Sequence, residues 1–186
     1  MTKRCKWVTA DPLYIDYHDS EWGVPEYNDQ RLFESLLLEG LQAGLSWLTI
    51  LKKRQAFYDA FDQFDPEKIV AYGARKKQQL MNNAAIIRNR LKIESIVSNA
   101  QAYLQLTEQQ SLSDWLWAFV DGKPIVNAWE NQQQVPTQTE LSMQLSKELK
   151  KLGFRFVGPT ICYAFMQAVG MVQDHTTDCF RYRQLL

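Results

Sequence analysis

The sequence predicts an all-α fold of two helical lobes, on three observations. Apolar residues recur at helical spacing through most of the chain. Recognisable caps and stops separate those runs. No segment alternates apolar and polar residues for long enough to make a convincing strand.

In chain order, residues 1–27 show no sustained period and are rich in Asp, Tyr, Trp and Pro. That composition predicts a long ordered loop whose aromatics are buried elsewhere. A helical pattern begins at Asn28/Asp29 with Leu32, Phe33, Leu36 and Leu37, and another follows Gly44 through Trp47, Ile50, Leu51, Phe57 and Phe61. Asp65 and Pro66 are a helix start, with Asp as the cap and Pro in the first turn. The longest predicted helix runs from Ile86 to Leu106, carrying Ile93, Val97, Ala100 and Leu104. Ser113 or Asp114 caps the next, which stops at Asp121-Gly122-Lys123-Pro124. The polar stretch 127–138 then reads as a connection between lobes, one spanning about 28–126 and the other made of 1–27 with 139–186. Leu141, Leu145 and Leu149 mark a helix ending at Gly153, and a last helix runs from about Thr160 to Val169.

Of the 186 residues, 46% are hydrophobic and 23% charged, which excludes a disordered tail or a fibre. No apolar run approaches the ~18–20 residues that span a bilayer, and the start has no apolar run after its basic residues, so a soluble cytoplasmic protein is expected. Three cysteines are too few for a disulfide framework. Net charge is zero, so the strongly basic balance of many nucleic-acid binders is absent. Residues 75–92 nevertheless hold six basic residues and no acidic one, which fits either a phosphate-facing surface or a solvated helix face.

Four of the five Cys and His residues fall into two distant pairs, Cys5 with His18 and His175 with Cys179. His175 and Cys179 stand at i and i+4, one face of a helical turn, where both can reach one ion. Cys5 and His18 can close a tetrahedron, and four protein ligands make the structural zinc pattern, since a catalytic zinc keeps a position open. The competing reading is two core histidines and two buried thiols. Cys162, among Ile161, Tyr163, Ala164 and Phe165, reads as a small core residue.

Residues 149–161, LKKLGFRFVGPTI, join an apolar helix end to a turn bracketed by Gly153 and Gly158, after which Pro159 and Thr160 open a second helix. Glycine admits another backbone closely, and a new helix N-terminus offers free N–H groups to an anion. Lys150, Lys151 and Arg155 add positive charge beside Gly158 and Thr160, so this is a candidate DNA-phosphate site. It resembles the helix-hairpin-helix of DNA glycosylases and endonucleases, except that Phe156 stands where the first glycine of the usual turn would be.

Longer segments resemble one family within that group: Cys5-Lys-Trp7, Asp11-Pro-Leu-Tyr14, Tyr17-His-Asp19, Glu21-Trp-Gly-Val-Pro25, Leu38-Glu-Gly40, Gln42-Ala-Gly-Leu-Ser-Trp47, Phe154-Arg-Phe-Val-Gly158, Thr160-Ile-Cys-Tyr163, Phe165-Met-Gln167 and Asp174-His175. Over residues 4 to about 179 the chain is similar to the 3-methyladenine DNA glycosylase I family. The resemblance implies a monofunctional enzyme, a monomer acting on double-stranded DNA, that flips out and hydrolytically releases 3-methyladenine. It also carries the family's zinc ligands onto Cys5, His18, His175 and Cys179.

The same resemblance assigns Glu39 to the base edge as the catalytic carboxylate, Trp47 to stacking, and Trp7, Tyr14 and Tyr17 to the pocket wall. Those residue types suit a cationic base: aromatic faces attract it and a buried carboxylate accepts its hydrogen bonds. Trp22 reads as structural. Gly44 and Leu45 are a candidate DNA-inserting turn, Leu45 wedging into the base stack, although a leucine that staples a helix start fits the position equally. Asp174, beside His175, is expected to be structural. The alternative class is a non-catalytic, zinc-stapled DNA-binding module, which has no reason to place Glu39 and Trp47 in one cavity.

Overall fold

A computed structural model describes residues 2–185. The helices are α1 (Pro12–Ser20), α2 (Asp29–Gln42), α3 (Trp47–Ala60), α4 (Pro66–Val70), α5 (Ala74–Asn82), α6 (Arg90–Thr107), α7 (Leu112–Trp117), α8 (Glu140–Lys151), α9 (Pro159–Ala168) and α10 (Phe180–Gln184). The predicted all-helical character holds, with two departures.

The first is α1, which occupies part of the predicted loop. Asp11 caps it by accepting from the Leu13 N–H, and Pro12 opens it without losing a helical donor. Its inward side chains include Tyr17 and His18, a polar-looking pair that nevertheless is buried. The second is a parallel pair, β1 (Ile125–Val126) on β2 (Val172–Gln173). Two residues are too short to show alternation in sequence.

Capping explains most helix starts. Asn28, Ser46, Asp65, Asn89, Ser111 and Thr139 each accept from a first-turn N–H of α2, α3, α4, α6, α7 and α8. Thus α6 begins at Arg90 rather than Ile86, because Asn89 supplies the cap, and Ser111 rather than Ser113 or Asp114 starts α7.

Helix α2 is central. Leu32, Phe33, Leu36, Leu37 and Leu41 are buried on it, and it packs against α3, α6, α7 and α9. Leu145 and Leu149 of α8 and Cys162 and Phe165 of α9 belong to the same buried cluster as α2 and α6. One core therefore fixes the end of α2 relative to the hairpin of α8 and α9. The segment after α1 crosses the end of α9, where the Gly23 and Glu26 N–H groups donate to Ala168 and Val169 carbonyls. Gly170 makes that crossing possible: its φ is +72°, and a Cβ there would lie 2.5 Å from the Val24–Pro25 backbone.

Candidate active site

Helix α1 and the segments around it, the end of α2 and the start of α3 enclose a cavity of about 170 Å³. Trp7, Tyr14 and Trp22 form one wall, with the Trp7 ring 5.0 Å from both others; Tyr17 and Trp47 pack 5.5 Å apart on another. The five residues assigned to the base from sequence all line this cavity, and so does Trp22, expected to be structural. Gln132 and Val135 also line it, from the stretch read as a mere connection, together with Gln167.

Glu39 lies one turn before the end of α2, 3% exposed. Burial pushes its carboxyl up to about 8. The same burial, and then the nearby Glu39 charge, raises the Tyr14 and Tyr17 hydroxyls. The Trp47 Nε1–H is buried with no hydrogen-bond partner among the described residues. A neutral molecule filling the cavity leaves Glu39 protonated at neutral pH. A cationic one favours the carboxylate.

Asp174 borders the cavity, but its oxygens are already engaged. Asn127 Nδ2 and Trp129 Nε1 each donate to Oδ1 at 2.7 Å, while the Tyr163 hydroxyl and Gln167 Nε2 donate to Oδ2 at 2.5 and 2.8 Å. The arrangement ties α9 to the 127–129 segment and supports the structural reading of Asp174.

Behind the aromatic wall, ligand atoms of Cys5, His18, His175 and Cys179 lie within 4.8 Å of one another, all buried. Cys179 Sγ is 3.4 Å from His18 Nε2 and 3.6 Å from His175 Nδ1, and Cys5 Sγ is 3.5 Å from His175 Nδ1. Each imidazole is oriented by its other nitrogen: His18 Nδ1–H donates to Asp19 at 2.7 Å and His175 Nε2–H to the Trp22 carbonyl at 3.1 Å. The unprotonated nitrogens thus face the thiols, as metal coordination requires. Hydrogen bonding from Cys5 holds the Cys179 thiol far below its usual range. Two sulfurs and two nitrogens in this array can hold a metal ion. Trp7 and Trp22 pack on His18 and His175 with ring separations of 5.2 and 4.6 Å, so the cluster props the cavity wall directly.

Helix α8 ends in a Schellman turn, with Phe154 N–H donating to Leu149 and Gly153 N–H to Lys150. Phe156 then adopts a φ of +56°, the left-handed conformation that glycine provides in the usual turn. Lys150, Lys151, Arg155 and Thr160 are exposed around Gly158, which caps α9. Lys151 is paired with Glu148 at 2.7 Å. The Gly44–Leu45 turn links Glu39 to Trp47, and Leu45 is 39% exposed.

The fold and cavity define a helical protein that sets aromatic rings and one desolvated carboxyl around a small cavity. The chain belongs to the methyladenine glycosylase family, whose model matches residues 7–182. It is 54% identical over 180 residues to a Haemophilus influenzae protein described as DNA-3-methyladenine glycosylase, covering 96% of this chain and 97% of the relative. A crystal structure of 3-methyladenine DNA glycosylase I superposes with a TM-score of 0.94 at 52% identity, covering 96% of this chain and 98% of the other. A variant of 3-methyladenine DNA glycosylase I solved in complex with 3-methyladenine gives 0.92 at 42% identity, covering 95% and 96%.

Proposed function

We infer that the protein releases 3-methyladenine from alkylated double-stranded DNA by hydrolysing its N-glycosidic bond. The carrying observation is Glu39, a carboxyl desolvated among Tyr14, Tyr17 and Trp47. In DNA the N3-methylated adenine is a cation, and it departs from the sugar as a neutral base, so the leaving group arrives activated. What the protein must add is extrusion of the nucleotide, selection of the cation over adenine, and stabilisation of an oxocarbenium-like sugar while water attacks.

Stacking on Trp47 and the tyrosines contributes ~0.5–2 kcal/mol per good face through cation–π attraction. Glu39 ionises against the bound cation and accepts its edge hydrogen bonds, which a neutral adenine rewards less. Leu45 fills the vacated stack while Gly44 brings the backbone close. Backbone N–H groups at Gly158 and Thr160, with Lys150, Lys151 and Arg155, hold the phosphates. Neither hairpin lysine borders the cavity, which fits hydrolysis without a Schiff base. Cys5, His18, His175 and Cys179 would hold one structural zinc, whose contribution is to tie the cavity wall in place; four protein ligands leave no coordination position for a reactant.

Purified protein incubated with methylated duplex DNA should release free 3-methyladenine, resolved by chromatography, and leave abasic sites without strand cleavage. DNA binding with no base release would instead establish the non-catalytic module.

A further inference from the structure

Two buried polar residues of α6 have no part in the chemistry above. Lys92 is 6% exposed, and its Nζ donates to the carbonyls of Leu41 at 2.8 Å and Ala43 at 2.7 Å. Those carbonyls close the C-terminal end of α2, where unpaired acceptors and the negative end of the helix dipole attract a cation. Asn99 is 2% exposed and clamps one residue of the hairpin turn: its Oδ1 accepts from the Arg155 N–H at 2.7 Å and its Nδ2 donates to the Arg155 carbonyl at 3.1 Å.

Each turn they grip contains a residue in the left-handed region. Beyond Ala43 the chain passes through Gly44 at φ +79°, with nothing within 4 Å of where a Cβ would be, and then presents Leu45 to solvent. Beyond Arg155 it passes through the left-handed Phe156, a conformation a side-chain-bearing residue holds only when its neighbours impose it. Seven residues separate Lys92 from Asn99, two helical turns, so they lie on one face of α6 about 10.5 Å apart along its axis.

We propose that Lys92 and Asn99 are positioning residues that hold the Leu45 turn and the Arg155 hairpin turn at a fixed spacing, so that both meet one DNA duplex in register. This rests on the reading that both turns touch DNA. Burying an ammonium and an amide is unfavourable compared with filling the same space with apolar atoms. Lys92 accordingly has its pKa lowered by desolvation. Positioning accounts for their use: a displacement of ~1 Å at a remote contact can cost ~10²-fold in rate.

The test compares Lys92→Met, Asn99→Leu, the double variant and Leu45→Ala. The readouts are single-turnover excision from methylated duplex, affinity for a duplex containing an abasic-site analogue, affinity for free 3-methyladenine, and Tm. Each positioning variant should lose tenfold or more in excision and in duplex affinity, while free-base affinity stays within about threefold of wild type. The double variant should lose less than the product of the two singles, since releasing either turn already frees the spacing. Normal excision by Lys92→Met and Asn99→Leu, alongside a defect in Leu45→Ala, overturns the inference and leaves the turn's own role intact. No defect in Leu45→Ala removes the reading of the turn, and this inference with it. Equal losses of free-base and duplex affinity mean general loosening and also overturn it. Should Lys92→Met or Asn99→Leu not fold, Lys92→Gln and Asn99→Asp, which retain part of each clamp, carry the same expectations and the same refutations.

Discussion

Replacing Glu39 with glutamine should make the protein more stable and less active, with both effects growing as pH rises. Burial moves the carboxyl from 4.5 in the unfolded chain to about 8 in the folded one. Between those values the folded state binds more protons than the unfolded state, so stability falls as pH rises through that window. At pH 7 the penalty on folding is about 3 kcal/mol at ~1.36 kcal/mol per pH unit. Glu39→Gln removes it. With ~2–4 °C per kcal/mol for a chain of this size, Tm should rise by roughly 6–12 °C at pH 7 relative to the difference at pH 4.5. Above pH 8 the gap should level off.

Activity should move the other way. Only about one tenth of free protein carries the carboxylate at pH 7, rising to about nine tenths at pH 9. A hydrogen bond to a charged group is worth ~1.5–3 kcal/mol, or roughly 10- to 100-fold. The ratio of wild-type to variant kcat/KM on methylated duplex should therefore climb about tenfold from pH 7 to pH 9, the variant itself being flat. Thermal melts and excision assays across pH 5–9 measure both trends, with bound metal unchanged. A Tm difference independent of pH would refute the desolvated carboxyl, and undiminished excision by the variant would remove Glu39 from the base pocket.

Trp47→Ala should weaken every flipped base through lost stacking, and its effect on excision should combine non-additively with Glu39→Gln because both side chains line one cavity; additive losses would place them on different parts of the substrate. Cys179→Ala should lose metal and thermal stability together, read by elemental analysis and melting; unchanged metal content would dismiss the four-residue cluster as a zinc site. Lys151→Ala should weaken binding similarly across DNA sequences and lower the salt slope by ~1, whereas an unaltered slope would mean that Lys151 serves only its pair with Glu148.

What could be read from sequence is what depends on local chemistry. Asn28 and Asp65 name their helices because a cap acts within three residues. The four metal-capable residues stood out because only five Cys and His residues exist, and their burial together needed no knowledge of the fold. Helix α1 was hidden by its own contents: Tyr14, Tyr17 and His18 keep helical spacing, but polar aromatic side chains do not register as an apolar face. Gln132 and Val135 reach the cavity through tertiary placement, with Asp174 holding the preceding Asn127 and Trp129, and no periodicity announces that. Lys92 lay within a basic run that suggested solvent or phosphate, yet its ammonium ends on carbonyls 49 and 51 residues away.

The cluster of Cys5, His18, His175 and Cys179 joins residues as far apart in sequence as positions 5 and 179, and Trp7 and Trp22 lean on it. On a ribosome adding ~5–20 residues per second, roughly ten to thirty seconds separate emergence of His18 from that of its partners. Throughout that interval the aromatic wall has no backing, and Cys5 is an unprotected thiol. Trp7 and Trp22 therefore gain the backing of this cluster only after His175 and Cys179 have been made.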